Sequence, residues 1–144
     1  MIAAFGKADE TAPSNFCISD NAITGVHLTR LASDGRQKAG TQTDKIMIGT
    51  PSGSPIVLAA PGDLGGLAIA EGIEDALSVH EATGLGAWAA GAASFMPALA
   101  AAVSGWIECV TIMVDNDDAG RSNADALAGR LERRGFRVRL VILK

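Results

Sequence analysis

Residues 67–78 read LAIAEGIEDALS and residues 110–120 read VTIMVDNDDAG, and these two stretches decide the fold. Each begins with a short apolar run, which is typical of a strand buried on both faces of a parallel sheet. Each run is followed by acidic residues at the start of a predicted helix. Because open parallel sheets bind ligands beyond the carboxyl ends of their strands, these acidic residues lie where chemistry is expected.

The residues around these two stretches continue the alternation of strands and helices. The predicted elements are strand 56–60, strand 67–70, helix 73–83, strand 86–90, helix 94–103, strand 110–114, helix 119–134 and strand 138–143. Ser94 is the predicted cap of the second helix, with Pro97 in its first turn, and Gly135 is the predicted end of the third. The pattern predicts an α/β fold with a Rossmann-like parallel sheet flanked by helices.

The first 62 residues have a different character, with short strand-like segments and many turn residues. Segments 1–5 and 23–31 are predicted to pair as a hairpin, and Ser33-Asp34-Gly35 signals a turn. We therefore predict two parts: a small β-rich N-terminal lobe over 1–62 and the α/β domain over 63–144.

The charge is unevenly distributed along the 144 residues. The net charge is −4, but residues 1–118 carry 5 basic and 14 acidic side chains, while residues 119–144 carry 7 basic and 2 acidic ones. Acidic residues without basic neighbours either form a solvated face or bind cations. The basic C-terminal segment adds a second interpretation, in which a polyanion is held close to bound metal.

Several classes of protein are excluded by composition. Cys17 and Cys109 lie far apart without a CxxC spacing, which excludes a cysteine-only zinc ribbon and a disulfide-built scaffold and favours a cytoplasmic location. The uncharged stretch 82–107 is long enough to span a bilayer, but glycines and Pro97 interrupt it, so we predict a strand, a turn and a buried helix and no membrane partner. His80 is predicted to be a core-edge histidine rather than a metal ligand.

Four carboxylates are predicted to meet at one edge of the sheet. Glu71 follows the first strand, and Asp75 lies one helical turn later on the same side. Asp115 and Asp117 flank a single residue in the turn after the second strand. If the two strands are neighbours, these oxygen ligands favour Mg²⁺ or Mn²⁺ over zinc. A plainer interpretation is that such residues only cap the helices that follow them.

Taken together, the two stretches resemble the first and second motifs of the Toprim domain, which topoisomerases, bacterial-type primases, OLD-like nucleases and recombination proteins share. The form EGxxDAL followed by DxDxAG is closest to phage and plasmid primases and primase-helicases. Residues 25–31, with the lysine-bearing stretch up to Gly49, are similar to the segment that precedes the domain in those proteins. The main resemblance covers about residues 67–144.

The resemblance implies catalytic roles for Glu71, Asp115 and Asp117, and it implies that these three residues and Asp75 bind Mg²⁺ or Mn²⁺. The implied activity is DNA primase-like: metal-dependent nucleotidyl transfer that makes RNA primers. Single-stranded DNA, nucleoside triphosphates and a replicative helicase are the implied partners. The alternatives are an OLD-like nuclease and a non-catalytic DNA-binding module of the recombination-mediator kind. A topoisomerase is disfavoured because the sequence contains no tyrosine.

Four arginines are candidates for nucleic-acid binding. Arg121 lies at a predicted helix start, where a phosphate is readily bound. Arg130, Arg133 and Arg134 are candidates for contacts with the nucleic-acid backbone, and the alternative is a solvated basic helix face. Primases carry a further acidic pair after the next strand, whereas only Lys144 follows the strand 138–143 here. We expect the zinc-ribbon and helicase modules of such proteins on flanking sequence or on separate chains.

Overall fold

The computed structural model describes residues 1–6, 22–41, 43–62 and 64–143. The elements within these residues are β1 (Ile2–Gly6), β2 (Ile23–Thr29), β3 (Lys45–Gly49), β4 (Ile56–Ala59), β5 (Gly66–Ala70), α1 (Ile73–Thr83), β6 (Gly86–Ala89), a 3₁₀ helix (Ala93–Ala101), β7 (Cys109–Val114), α2 (Asp118–Arg133) and β8 (Arg137–Ile142).

The larger sheet has the strand order β4-β6-β5-β7-β8. Strand β4 runs antiparallel to β6, and the other neighbours are parallel. Strands β5 and β7 are hydrogen-bonded neighbours, with Ile69 opposite Ile112. Their carboxyl ends therefore lie side by side at one edge, which meets the condition for the acidic residues after them to come together. The α/β fold class is confirmed.

Helices cover both faces of this sheet, which explains why its central strands are apolar throughout. On one face, α2 and the 3₁₀ helix pack over Leu67, Ile69, Ile112 and Trp88. On the other face, α1 covers a core that contains Ala70 with other small and branched side chains. Alternate residues of a strand point to opposite faces, so β5 must be apolar at every position to bury both of its sides.

The smaller sheet is antiparallel, with the order β1-β2-β3. The predicted pairing of the first two segments is confirmed, with Ile2 opposite Leu28. One face of β2, formed by Gly25, His27 and Thr29, is buried. Phe5 is fully buried and belongs to the same core as α1. The inner face of this sheet thus packs against the larger domain.

Two local predictions have different outcomes. The predicted second α-helix is a 3₁₀ helix that begins at Ala93 without a capping side chain, so the prediction of Ser94 as its cap is wrong. Pro97 lies inside this helix and has no N–H to donate, which weakens an α-helical hydrogen-bond pattern. Gly135 follows α2 with a φ of 89°, a conformation that favours glycine, and its predicted role in ending the helix is confirmed.

The remaining predictions concern the middle of the chain. In the part of the chain that the structure describes, no helix is long and apolar enough to cross a membrane. His80 Nδ1 donates a hydrogen bond to the Leu85 carbonyl at 2.6 Å, as expected of a histidine at the edge of a core. The predicted domain boundary at residue 62 falls after β4, and β4 already pairs within the larger sheet.

Candidate metal centre

The candidate site lies at the carboxyl ends of β5 and β7, where Glu71 and Asp115 follow directly after the two strands. Both side chains are half-buried. Their carboxyl groups are hydrogen-bonded to each other across the boundary between the strands. The pairing of β5 with β7 thus brings together two residues that are 44 positions apart in the sequence.

Burial and like charge both act against ionisation of this pair. Burial raises the pKa of Glu71, and the charges of Asp115 and Asp117 raise it further, while Lys45 and the backbone N–H of Ala93 oppose the rise. Burial also raises the pKa of Asp115, with added contributions from Asp75 and Asp117, while the side-chain hydrogen bond with Glu71 and the charge of Lys45 lower it. Two carboxylates cannot both be ionised at hydrogen-bonding distance without strong repulsion, so either a proton or a cation must lie between them.

The donor set at this edge fits a divalent cation of the magnesium type. Carboxylate oxygens are hard ligands, and the coupled negative charges of Glu71 and Asp115 favour a small ion of high charge. Among the described residues, however, no three His, Cys, Asp or Glu side chains converge closely enough to form a complete ligand cluster. The structure therefore supplies a pair of candidate ligands, with further acidic residues close by.

The other two predicted ligands lie next to this pair. Asp117 is the N-cap of α2, and its Oδ1 accepts a hydrogen bond from the Gly120 N–H at 2.7 Å. One oxygen of this carboxylate is thus already used to cap the helix. Asp75 is half-buried in the first turn of α1, where its charge raises the pKa of Asp115. Both residues act on the pair through their charge.

A glycine sets how closely α2 approaches the site. A Cβ atom on Gly120 would lie 2.7 Å from the Asp115 carbonyl oxygen and 2.9 Å from the Asp115 Cβ. Any side chain here would push the first turn of α2 away from the end of β7. The glycine of the second motif therefore allows Asp115 and the helix N-terminus to lie against each other.

The predicted nucleic-acid-binding arginines occupy different environments. Arg121 donates a hydrogen bond to the Asn116 side chain, next to the acidic edge. Arg130 Nη1 donates to the Pro97 carbonyl at 3.0 Å, and Arg134 Nη2 donates to the Val103 carbonyl at 3.0 Å. Arg134 also lies 5.0 Å from the centre of the Phe136 ring. Arg130 and Arg134 thus connect α2 to the 3₁₀ helix region, and all three arginines near the end of α2 are exposed.

Arg130, Arg133 and Arg134 do not form one patch with the acidic edge. Arg130 lies twelve positions after Asp118, the first residue of α2. At 1.5 Å per residue, this is about 18 Å along the helix axis. A nucleic-acid strand that contacts both Arg121 and Arg133 would have to follow the length of α2. The structure leaves their role in nucleic-acid binding as a prediction.

Sequence reasoning missed two lysines that act on these acidic residues, Lys45 at the start of β3 and Lys38 in the segment between β2 and β3. Lys38 Nζ lies 3.8 Å from Glu74 Oε1 in the first turn of α1. The charge of Lys45 opposes the raised pKa of both Glu71 and Asp115. The sequence offered one signal for them, because the lysine-bearing segment up to Gly49 is similar to the segment that precedes the α/β domain in the proteins it resembles. That similarity did not indicate which lysine acts on the acidic residues.

This arrangement defines a class of α/β domain in which two acidic motifs meet at the carboxyl ends of neighbouring parallel strands. A family model described as the Toprim domain matches residues 66–144, which is more than half of the chain. The chain therefore belongs to the Toprim domain family. Searches among curated proteins and among solved structures give no match. Toprim domains typically bind divalent metal ions and nucleic acid and carry out metal-dependent nucleic-acid processing.

Proposed function

We propose that this chain carries the nucleotidyl-transfer site of a DNA primase-like protein, which joins ribonucleotides on a single-stranded DNA template. The observation that carries the proposal is the contact between Glu71 and Asp115, one from each Toprim motif. The forms EGxxDAL and DxDxAG, which resemble the primase branch most closely, support primer synthesis over the other activities of the family.

The proposed chemistry assigns separate tasks to the acidic residues. Glu71 and Asp115 would hold a divalent cation, with Asp75 and Asp117 adding negative charge beside them. The cation, when bound, neutralises the phosphate oxygens during transfer. The 3′-hydroxyl oxygen bonds to the α-phosphorus of the incoming nucleotide, and pyrophosphate leaves.

Glu71 is our candidate acceptor for the proton of the 3′-hydroxyl. Its half-buried carboxyl group lies at the carboxyl end of β5, on the acidic edge where the 3′-hydroxyl would react. Arg121 lies at the start of α2 beside Asn116, where its guanidinium is available to contact a phosphate.

The test uses the 144-residue chain with Mg²⁺ or Mn²⁺, a single-stranded DNA template and labelled ribonucleotides. We expect short RNA products, and we expect E71Q and D115N each to lower their yield at least about a hundredfold. D118N is the matched control, because it removes one negative charge from an exposed side chain in the first turn of α2, next to the same loop. We expect D118N to retain activity.

Two other results would replace this proposal. Cleavage of the template without nucleotide incorporation, lost in E71Q and D115N, would assign the same carboxylates to an OLD-like nuclease. Salt-sensitive DNA binding that persists in chelator, with neither synthesis nor cleavage, would favour a non-catalytic recombination-mediator-like module.

A further inference from the structure

The turn that follows β6, formed by residues 91–93 and called the β6 turn below, holds Glu71. The N–H of Gly91 donates a hydrogen bond to the Glu71 carbonyl at 2.9 Å. The backbone N–H of Ala93 is hydrogen-bonded to the carboxylate of the same residue. The β6 turn therefore contacts both the main chain and the side chain of Glu71.

The same turn packs against an aromatic pair of the small sheet. A Cβ atom on Gly91 would lie 2.6 Å from Phe5 Cζ and 3.8 Å from His27 Cδ2, so both rings lie against the Gly91 backbone. The two rings meet edge to face, with centroids 6.3 Å apart and an interplanar angle of 68°. Both residues are buried, and Phe5 is completely so. Gly91 thus connects the aromatic pair to Glu71.

Phe5 is itself held by the larger domain. The N–H of Gly6, the last residue of β1, donates to the Pro55 carbonyl at 3.0 Å, directly before β4 begins. The Phe5 ring belongs to the buried core that α1 covers. Close-packed cores transmit small displacements, so a shift of this ring would move the β6 turn and Glu71 with it.

The position of the β6 turn depends on this ring because the turn has no side chain at the contact. Gly91 has a φ of 81°, and the Phe5 ring fills the space that a side chain would need. Most contacts of a buried phenylalanine stabilise the fold alone. This contact also lies one hydrogen bond away from a residue of the acidic edge.

We propose that Phe5 is a positioning residue for Glu71, which it holds in place through the β6 turn. The small sheet is then part of the metal centre, although Phe5 acts on the cation only through Glu71. The inference rests on the proposed function in one respect, since it takes Glu71 as a ligand of the divalent cation. A displacement of about 1 Å in such a group is enough to cost a large part of its effect.

The test measures Mn²⁺ affinity in F5L, alone and combined with E71Q. Leucine keeps the core apolar but lacks the ring atoms that reach Gly91. We expect F5L to weaken Mn²⁺ binding about tenfold. In E71Q the positioned carboxylate is gone, so F5L should have less than about a twofold further effect there. F5M has a flexible side chain, carries the same expectations and replaces F5L if F5L is unfolded at the assay temperature.

L131A is the control for a loss of stability alone. Leu131 is fully buried near the end of α2, in the core on the other face of the sheet. Truncating a buried leucine to alanine leaves a cavity, so L131A should lower the melting temperature at least as far as F5L does. We expect its Mn²⁺ affinity to stay within about twofold of the wild type, because distant sites act independently.

G91A tests the same contact from the side of the turn. The added methyl group would meet the Phe5 ring at 2.6 Å, so we expect G91A to weaken Mn²⁺ binding more than F5L does. In F5L/G91A the ring no longer blocks the methyl group, and the affinity should recover at least about threefold relative to G91A. A double variant that binds Mn²⁺ no better than G91A would contradict the contact.

Three results would overturn the inference. In the first, F5L binds Mn²⁺ as tightly as the wild type. In the second, F5L weakens Mn²⁺ binding as strongly in E71Q as in the wild type, and in the third L131A weakens it as strongly as F5L. Failure of the proposed function has a different signature, because E71Q itself then binds Mn²⁺ like the wild type, whatever F5L does.

Discussion

Asp117 affects the stability of the protein in two opposite ways. Its Oδ1 caps α2 by accepting the Gly120 N–H at 2.7 Å, while its charge raises the pKa of both Glu71 and Asp115. The cap stabilises the fold, and the charge destabilises the acidic edge when no cation is present. Substitutions can separate these two effects, because asparagine caps a helix about as well as aspartate does.

We expect D117N and D117A to behave differently in chelator. D117N keeps a capping oxygen and removes a repelling charge, so its melting temperature should equal or exceed that of the wild type. D117A loses the cap and should be destabilised by about 0.5–2 kcal/mol. Thermal denaturation in EDTA measures both effects.

Added Mn²⁺ then tests whether Asp117 is a ligand. The wild type should gain roughly 2.7 kcal/mol at a hundredfold excess over the dissociation constant. D117N should lose most of that gain if Asp117 is a ligand, and only a small part of it if Asp117 acts through its charge alone. If D117N were destabilised in EDTA yet responded to Mn²⁺ like the wild type, Asp117 would be a helix cap only.

Helix α2 contains two glycines with opposite packing. Gly120 is buried against the Asp115 backbone, whereas a Cβ on Gly129 would meet only Arg133 Nη1 at 3.5 Å, an ordinary contact. Alanine is favoured over glycine by about 1 kcal/mol within a helix, so propensity alone predicts that both substitutions stabilise. The close contact reverses the expected sign at Gly120.

We expect G120A to destabilise the protein by about 1–3 kcal/mol, the usual cost of overpacking, and to weaken Mn²⁺ binding by displacing Asp115. G129A is the matched control and should be neutral or stabilising by up to about 1 kcal/mol. Urea denaturation and Mn²⁺ titration measure the two effects. Stabilisation by G120A would contradict the role of this glycine in positioning Asp115.

At the scale of elements, the sequence correctly predicted the features that depend on local patterns, namely the buried strands and the acidic residues that follow them. The apolar runs 67–70 and 110–114 predicted two buried strands, and the acidic residues after them predicted the chemical edge of the sheet, where Glu71 and Asp115 are in contact. These features follow from burial on both faces and from the geometry of parallel strands.

Contacts between distant segments could not be predicted in this way. The hydrogen bond from Arg130 to the Pro97 carbonyl joins residues 33 positions apart, and it depends on how α2 packs against the 3₁₀ helix. The same limit applies to Lys45, whose effect on Glu71 and Asp115 depends on how the small sheet packs against the larger domain. The 3₁₀ geometry at Ala93–Ala101 was missed because Ser94 and Pro97 are equally compatible with the start of an α-helix.

Across the whole molecule, the acidic edge is balanced by positive charge from elsewhere. Lys45 of the small sheet opposes the raised pKa of Glu71 and Asp115, and Lys38 pairs with Glu74 at 3.8 Å. The repulsion that remains between the carboxylates acts only in the folded state. The free energy of unfolding therefore depends on whether these carboxylates are ionised. Protons and divalent cations should therefore compete as stabilising ligands of the fold.

The pH dependence of stability tests this competition. Burial raises the pKa of Glu71 and of Asp115 above their unfolded values, so the metal-free fold binds protons more tightly than the unfolded chain does. The contribution of these groups to stability is therefore largest below the ordinary carboxyl pKa, about 4, and is lost as the pH rises through the raised values. We expect this loss in EDTA.

In E71Q, position 71 cannot ionise, so the stability of this variant in EDTA should fall less steeply over the same range than that of the wild type. With saturating Mn²⁺ the wild-type trend should reverse, because the cation replaces the proton and needs ionised ligands. Urea denaturation at a series of pH values, with EDTA or with Mn²⁺, measures both slopes. Equal slopes for E71Q and the wild type in EDTA would show that Glu71 is not part of a coupled acidic pair.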